Sequence, residues 1–253
     1  MMRSTHALIA GGLLSMMASV VSAQPPKATN PIKPLPRDLE MQLALSALPP
    51  HLRDGATVYV LNPAKGFEVA RKGTNGFHAF VARTGDDAFR GTWTFTKYRD
   101  DILYPISFDQ AGARQNMRVF FYAAEAQAQG MQPAELKKKI QQRFKTGIYN
   151  PPERAGVSYM LSPILRTYDD PEKSDAVTTI NYPHVMYYAP DITNEDIGGG
   201  ELGGVGPFVI MPGHHGYLIQ PRGEKETAAI TKEYAGMLAR LCKIKAVWCL
   251  PKK

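Results

Sequence analysis

Thr57 to Arg83, TVYVLNPAKGFEVARKGTNGFHAFVAR, is the stretch whose reading decides the fold. Three runs of strand-forming residues are separated by two glycine-closed turns, the second being Thr74-Asn75-Gly76. Asn-Gly between apolar runs signals a hairpin, because a type I′ turn needs positive φ at both central residues. The stretch therefore predicts a three-stranded β-meander at the centre of a sheet. In the second run Phe67 and Val69 share one face. In the third, Phe77, Ala79 and Val81 alternate with His78, Phe80 and Ala82, so both faces are largely apolar. A strand of that kind needs cover on both sides.

Ahead of this stretch, Asp38 can cap a short helix carrying Leu39, Leu43 and Ala47 on one side and ended by Pro49-Pro50. Residues 24–37 are proline-rich and read as a flexible lead-in. Residues 1–23 have the layout of a secretory signal peptide: Arg3, an apolar run from Ala7 to Val21, and the small-x-small site Val21-Ser22-Ala23. Cleavage is expected before Gln24, giving an exported, periplasmic or secreted chain. The competing reading is a membrane anchor, but the run falls short of the ~20 residues that a spanning helix needs.

After the stretch, Thr92 to Tyr98 has strand composition. Asp109 opens a helical region to Ala128, closed by Gly130. Pro133 starts the next helix, with Leu136, Ile140 and Phe144 on one stripe and Gly147 as its stop. Short strands are expected at Val157–Ser162, Val185–Ala189, Phe208–Met211 and Tyr217–Gln220, with polar or glycine-rich connections at Asp169–Asn181 and Glu195–Gly206. A last helix should run from Glu224 to Leu241, burying Ile230, Tyr234, Met237 and Leu241. This order gives an α+β fold: one domain over 38–253, its antiparallel or mixed sheet built on the meander, with helices packed on it.

The formal charge of +7 falls by one, to +6, when Arg3 leaves with the leader. The cations are scattered and Lys137-Lys138-Lys139 lies on a solvated helix face, so a nucleic-acid partner is not expected. Cys242 and Cys249 are the only cysteines. In an exported chain an even pair predicts a disulfide, here tying the segment with Trp248 to the preceding helix.

Glu40–Leu48, Gly73-Thr74-Asn75-Gly76-Phe77, Tyr182-Pro183-His184-Val185-Met186-Tyr187-Tyr188 and the helix opening at Gln132-Pro133-Ala134-Glu135 resemble a group of exported bacterial proteins of unassigned function. The resemblance covers most of the mature chain. It implies export and a single domain, and no activity. Members of that group often have Cys where this chain has His78, and a less aromatic residue where it has Tyr182.

For chemistry, His184 in Tyr-Pro-His and the pair His214-His215 are the candidate ligands for Zn or Cu, since neutral imidazole suits both metals. A metal-dependent hydrolase built on them is the alternative function. The sequence has no G-x-S-x-G elbow. Gly198 to Gly206 has the glycine density of a phosphate loop, but Pro207 and a strand follow where a helix is needed, so no nucleotide is expected. A mobile flap beside a ligand groove, or a plain connection, fits that loop better. The leading reading is a soluble cell-envelope protein without a catalytic motif, binding a small ligand or an envelope partner. Its surface would lie in Tyr182–Tyr188 and Gly198–Gly216, with Tyr187 and Tyr188 as ligand-facing residues.

Overall fold

Strands form where the alternation places them: β1 (Thr57–Asn62), β2 (Gly66–Arg71) and β3 (His78–Ala82). The computed structural model describes residues 26–85, 97–169, 174–199, 206–210 and 212–251. The path between the strands differs from a meander. β2 pairs antiparallel with β1, but β3 lies on the other side of β1 and parallel to it, with Thr57 opposite His78. The segment 72–77 therefore crosses the start of β1 and is not a hairpin turn.

Local hydrogen bonding explains the crossing. Gly73 N donates to Thr57 Oγ1 at 3.0 Å, and the amides of Thr74 and Asn75 both donate to Gly55 O, at 2.7 and 3.1 Å. The Asn75 side chain donates to Leu52 O while its Oδ1 accepts from Phe77 N. Asn75 thus closes an Asx turn, a second use of the residue that also favours type I′ turns. A Cβ at Gly73 would sit 2.2 Å from the Ala56 carbonyl carbon, so only glycine fits the crossing.

Seven further strands follow: β4 (Tyr104–Phe108), β5 (Val157–Met160), β6 (Leu165–Tyr168), β7 (Val177–Ile180), β8 (His184–Tyr188), β9 (Phe208–Val209) and β10 (Tyr217–Pro221). Eight strands make one mixed sheet in the order β2-β1-β3-β4-β5-β8-β10-β9, and β6 and β7 pair separately. β7 forms inside the segment expected to be a polar connection. The strand expected at Thr92–Tyr98 falls mainly outside the described residues, as do 200–205 of the glycine-rich loop.

The helices are α1 (Arg37–Ser46), α2 (Pro50–Arg53), α3 (Gln110–Arg114), α4 (Met117–Ala128), α5 (Pro133–Lys145), α6 (Asn194–Ile197), α7 (Glu224–Glu233) and α8 (Ala235–Ile244). Asp38 does not cap α1; Pro36 holds that position and Asp38 pairs with Arg240 of α8 at 2.7 Å. The single C-terminal helix expected to Leu241 is broken at Tyr234 into α7 and α8.

Both faces of β3 are covered, as its composition requires. On one side Ala79 and Val81 pack with Leu39 and Leu43 of α1, Met237 and Leu241 of α8, and Trp248. On the other, Phe80 joins Ile106 and Phe108 of β4 beneath Val119 and Phe120 of α4 and Leu136 and Ile140 of α5. Burying each of the Val, Leu, Ile, Phe and Met side chains among these contributes about 1.5–3 kcal/mol. Cys242 and Cys249 are bridged, and the Trp248 Nε1 donates to Asp101 O at 2.7 Å. Burial opposes charge on Asp101, but Arg99 and Arg166 at 2.9 and 2.7 Å outweigh it and hold its pKa at about 2.

Candidate functional site

Helices α1 and α8 pack over the β1, β3 and β4 half of one sheet face, and beyond β4 that cover thins. Register defines which residues share this face, of which Ser107, Val185 and Val209 are buried. Val157, Tyr187, Leu218 and Val209 form one cross-strand row; Ser107, Tyr159, Val185 and Gln220 form the next. Tyr187 is 45% exposed although its strand is paired on both sides. Tyr159, Val157, Leu218 and Gln220 are half-buried around it. Tyr159 and Tyr187 are diagonal neighbours, roughly 7–8 Å apart at the backbone. The Phe77 ring lies 5.9 Å from that of Tyr159 at an angle of 42°. Three rings, Phe77 just before β3, Tyr159 on β5 and Tyr187 on β8, thus lie on this face.

Burial, with the neighbouring Tyr187, pushes the Tyr159 hydroxyl up, and Arg222 just past β10 pulls it partly back. Arg222 is therefore within electrostatic reach of the strip. Its backbone N–H is anchored on Pro183 O at 2.9 Å.

Tyr188 is not on this surface. Adjacent strand residues face opposite ways, and Tyr188 is 6% exposed, with its hydroxyl 3.1 Å from both Asp109 Oδ1 and Val157 O. Burial drives its pKa far up. Asp109 also caps α3 by accepting from Gly112 N at 2.9 Å. Tyr188 is therefore a core residue locking α3 to β5, and its expected ligand-facing role is corrected.

The three candidate metal ligands do not converge. His184 starts β8 on the Tyr188 side, is 4% exposed, and donates from Nδ1 to Tyr182 O at 2.7 Å. His214 and His215 lie in the turn before β10. Since Pro221 opposes His184 and Tyr217 opposes Tyr188, that turn is at the far end of the strand pair. The length of β10, about 13 Å, separates them. His214 Nδ1 is 3.3 Å from Asp191 Oδ2, and the His215 ring packs edge-on against Phe144 at 4.7 Å. Burial lowers His184 to about 4, and burial with the adjacent His214 lowers His215 to about 4. Among the described residues no group of three or more His, Cys, Asp or Glu is placed to hold a metal ion. The histidine-cluster hydrolase loses its geometric basis.

Sequence reasoning singled out Tyr187 and missed Tyr159, Phe77 and Arg222. The alternation of Phe77 and Tyr159 in the strand pattern was visible; the cover over β5 and β8 was not. No family model, curated protein or solved structure matches the chain.

Proposed function

We propose that the chain is an exported cell-envelope protein that binds an envelope glycan on the partly covered sheet face around Tyr187, through Tyr187, Tyr159 and Phe77. The observation that carries this reading is Tyr187: an aromatic ring 45% exposed on an interior strand, beside a second half-buried tyrosine. Paired strands hold such rings rigidly, so little ordering entropy opposes binding. Aromatic faces stack on the C–H faces of sugars, while Tyr hydroxyls, Gln220 and Arg222 supply hydrogen bonds to the ring substituents. Arg222 and the net positive charge favour a glycan carrying carboxylate or phosphate groups. A shallow strip suits an extended chain better than an enclosed small molecule.

Export is supported by the leader layout of residues 1–23 and by the bridged Cys242–Cys249 pair, which persists in oxidising compartments. The motif resemblance to exported bacterial proteins points the same way. No helix among the described residues is long and apolar enough to cross a membrane.

The test is calorimetric titration of the tag-free mature chain with soluble N-acetylglucosamine oligomers and with anionic envelope polysaccharide. Truncating a central aromatic anchor costs about 2 kcal/mol, so Tyr187→Ala should weaken binding roughly thirtyfold. Unchanged affinity in a folded Tyr159→Ala/Tyr187→Ala double variant would overturn the reading.

A further inference from the structure

We propose that a second site, the cavity between α1 and the β1–β2 hairpin, binds a small zwitterionic amino acid. The cavity has a volume of about 300 Å³; Pro34, Leu35 and Val60 form apolar walls, and Arg37, Glu40 and Glu68 supply charge. Glu40 is the unusual member. It is 1% exposed, and its Oε1 accepts from Leu61 N at 2.8 Å. Its Oε2 has no hydrogen-bond partner among the described residues.

A structural role accounts for only half of this side chain. The ladder between β1 and β3 ends at Val58 and Ala79, so the Leu61 N–H beyond it needs another acceptor, and Glu40 Oε1 supplies one. A neutral glutamine would do that as well, without a buried carboxylate. Glu40 lines the cavity while only 1% exposed, and a carboxylate so buried with one N–H on it is costly unless a cation meets it. Burial raises the pKa of Glu40, and Leu61 N, Arg83 and Arg37 only partly offset that. A ligand ammonium would complete the pairing.

Arg37 selects the other end of the ligand. It precedes Glu40 by one helical turn, lines the same cavity and donates from Nη2 to Ala70 O at 3.2 Å, which fixes its position. Glu68 is paired with Lys65 at 3.6 Å and is half-committed. An ammonium on Glu40 and a carboxylate on Arg37 are the two ends of an α-amino acid. The walls at Leu35 and Val60 would take a small aliphatic side chain, and the volume admits one such molecule.

This proposal stands apart from the glycan reading, and its probes separate the two. Valine, isobutylamine and 3-methylbutanoate are titrated calorimetrically into the mature chain. Valine should bind, with either truncated analogue at least about tenfold weaker. Glu40→Gln, which keeps an oxygen for Leu61 N, should weaken valine at least about tenfold while the protein melts normally. Arg37→Gln should weaken valine and leave isobutylamine unchanged, and Tyr187→Ala should leave valine binding intact. No heat from valine up to about 10 mM, isobutylamine as tight as valine, or full binding by folded Glu40→Gln would each overturn it.

Discussion

Replacing Gly73 by alanine tests the chain path at its tightest point. The segment leaving β2 passes directly over the backbone of Gly55–Thr57. An alanine methyl at position 73 would lie 2.2 Å from the Ala56 carbonyl carbon and 2.3 Å from both Gly55 O and Thr57 N. All three are backbone atoms, so no rotamer change relieves the overlap. Either residues 72–77 lift away, breaking the bonds to Thr57 Oγ1 and Gly55 O, or β1 shifts and loses the Thr57 N bond to Phe77 O at 2.8 Å. Overpacking costs about 1–3 kcal/mol and each lost hydrogen bond about 1 kcal/mol, giving roughly 3–5 kcal/mol. For a chain of this size that lowers Tm by roughly 6–20 °C. Thermal unfolding followed by circular dichroism reads it directly. Gly236→Ala in α8, where a Cβ meets nothing within 4 Å, is the control and should be neutral or slightly stabilising. A Gly73→Ala protein melting within about 2 °C of the parent would refute the packed crossing and restore the hairpin.

Other consequences follow from the same geometry. Cys242→Ser/Cys249→Ser should cost about 2–3 kcal/mol, read from urea midpoints, and should loosen Trp248 enough to shift its fluorescence to the red. His184 and His215 stay neutral down to about 4, against an ordinary value of 6.5, so the unfolded chain binds more protons between those limits. The histidine contribution to stability should be full above pH 6.5 and fall through the window from 6.5 to 4, by ~3 kcal/mol for His184 alone, against the opposite but smaller pull of Glu40, whose pKa is raised; Asp101, held at about 2, removes more below 3.8. Denaturant midpoints that rise between pH 6.5 and 4.5 would contradict this. Tyr188→Phe should cost about 1–3 kcal/mol by leaving Asp109 Oδ1 short of a donor, whereas Tyr187→Phe should leave stability unchanged.

Much of the fold was legible because its signals were local. Pro133 and the Leu136, Ile140, Phe144 stripe set α5, and Gly130 and Gly147 take the positive φ that ends α4 and α5, at 80° and 70°. The two apolar faces of β3 foretold cover on both sides. What failed was non-local. Asn75-Gly76 has hairpin chemistry, but Gly55 O and Leu52 O capture the donors around it and turn the chain across β1. β4 was masked by Pro105, which usually argues against an interior strand. The structure accommodates it because Leu103 pairs with Arg166 and pairing to β5 begins at Ser107, so the missing N–H falls in the gap between. At the site, period-2 alternation puts Tyr187 and Tyr188 on opposite faces, so the expectation that both face a ligand could hold for one of them only. Which one depends on where α1 and α8 stop covering the sheet, and that is set by packing across the whole domain. The histidines failed for the same reason: strand register, invisible in the sequence, places His184 and His215 at opposite ends of β8 and β10.

Amide chemical-shift mapping of isotope-labelled protein comprising residues 24–253, titrated with an anionic envelope oligosaccharide, tests the proposed glycan surface most directly. The expected result is a saturable set of shifts confined to Val157–Tyr159, Val185–Tyr187 and Leu218–Arg222, absent in Tyr187→Ala. Shifts centred on α4 and α5, or none at saturating saccharide, would contradict it.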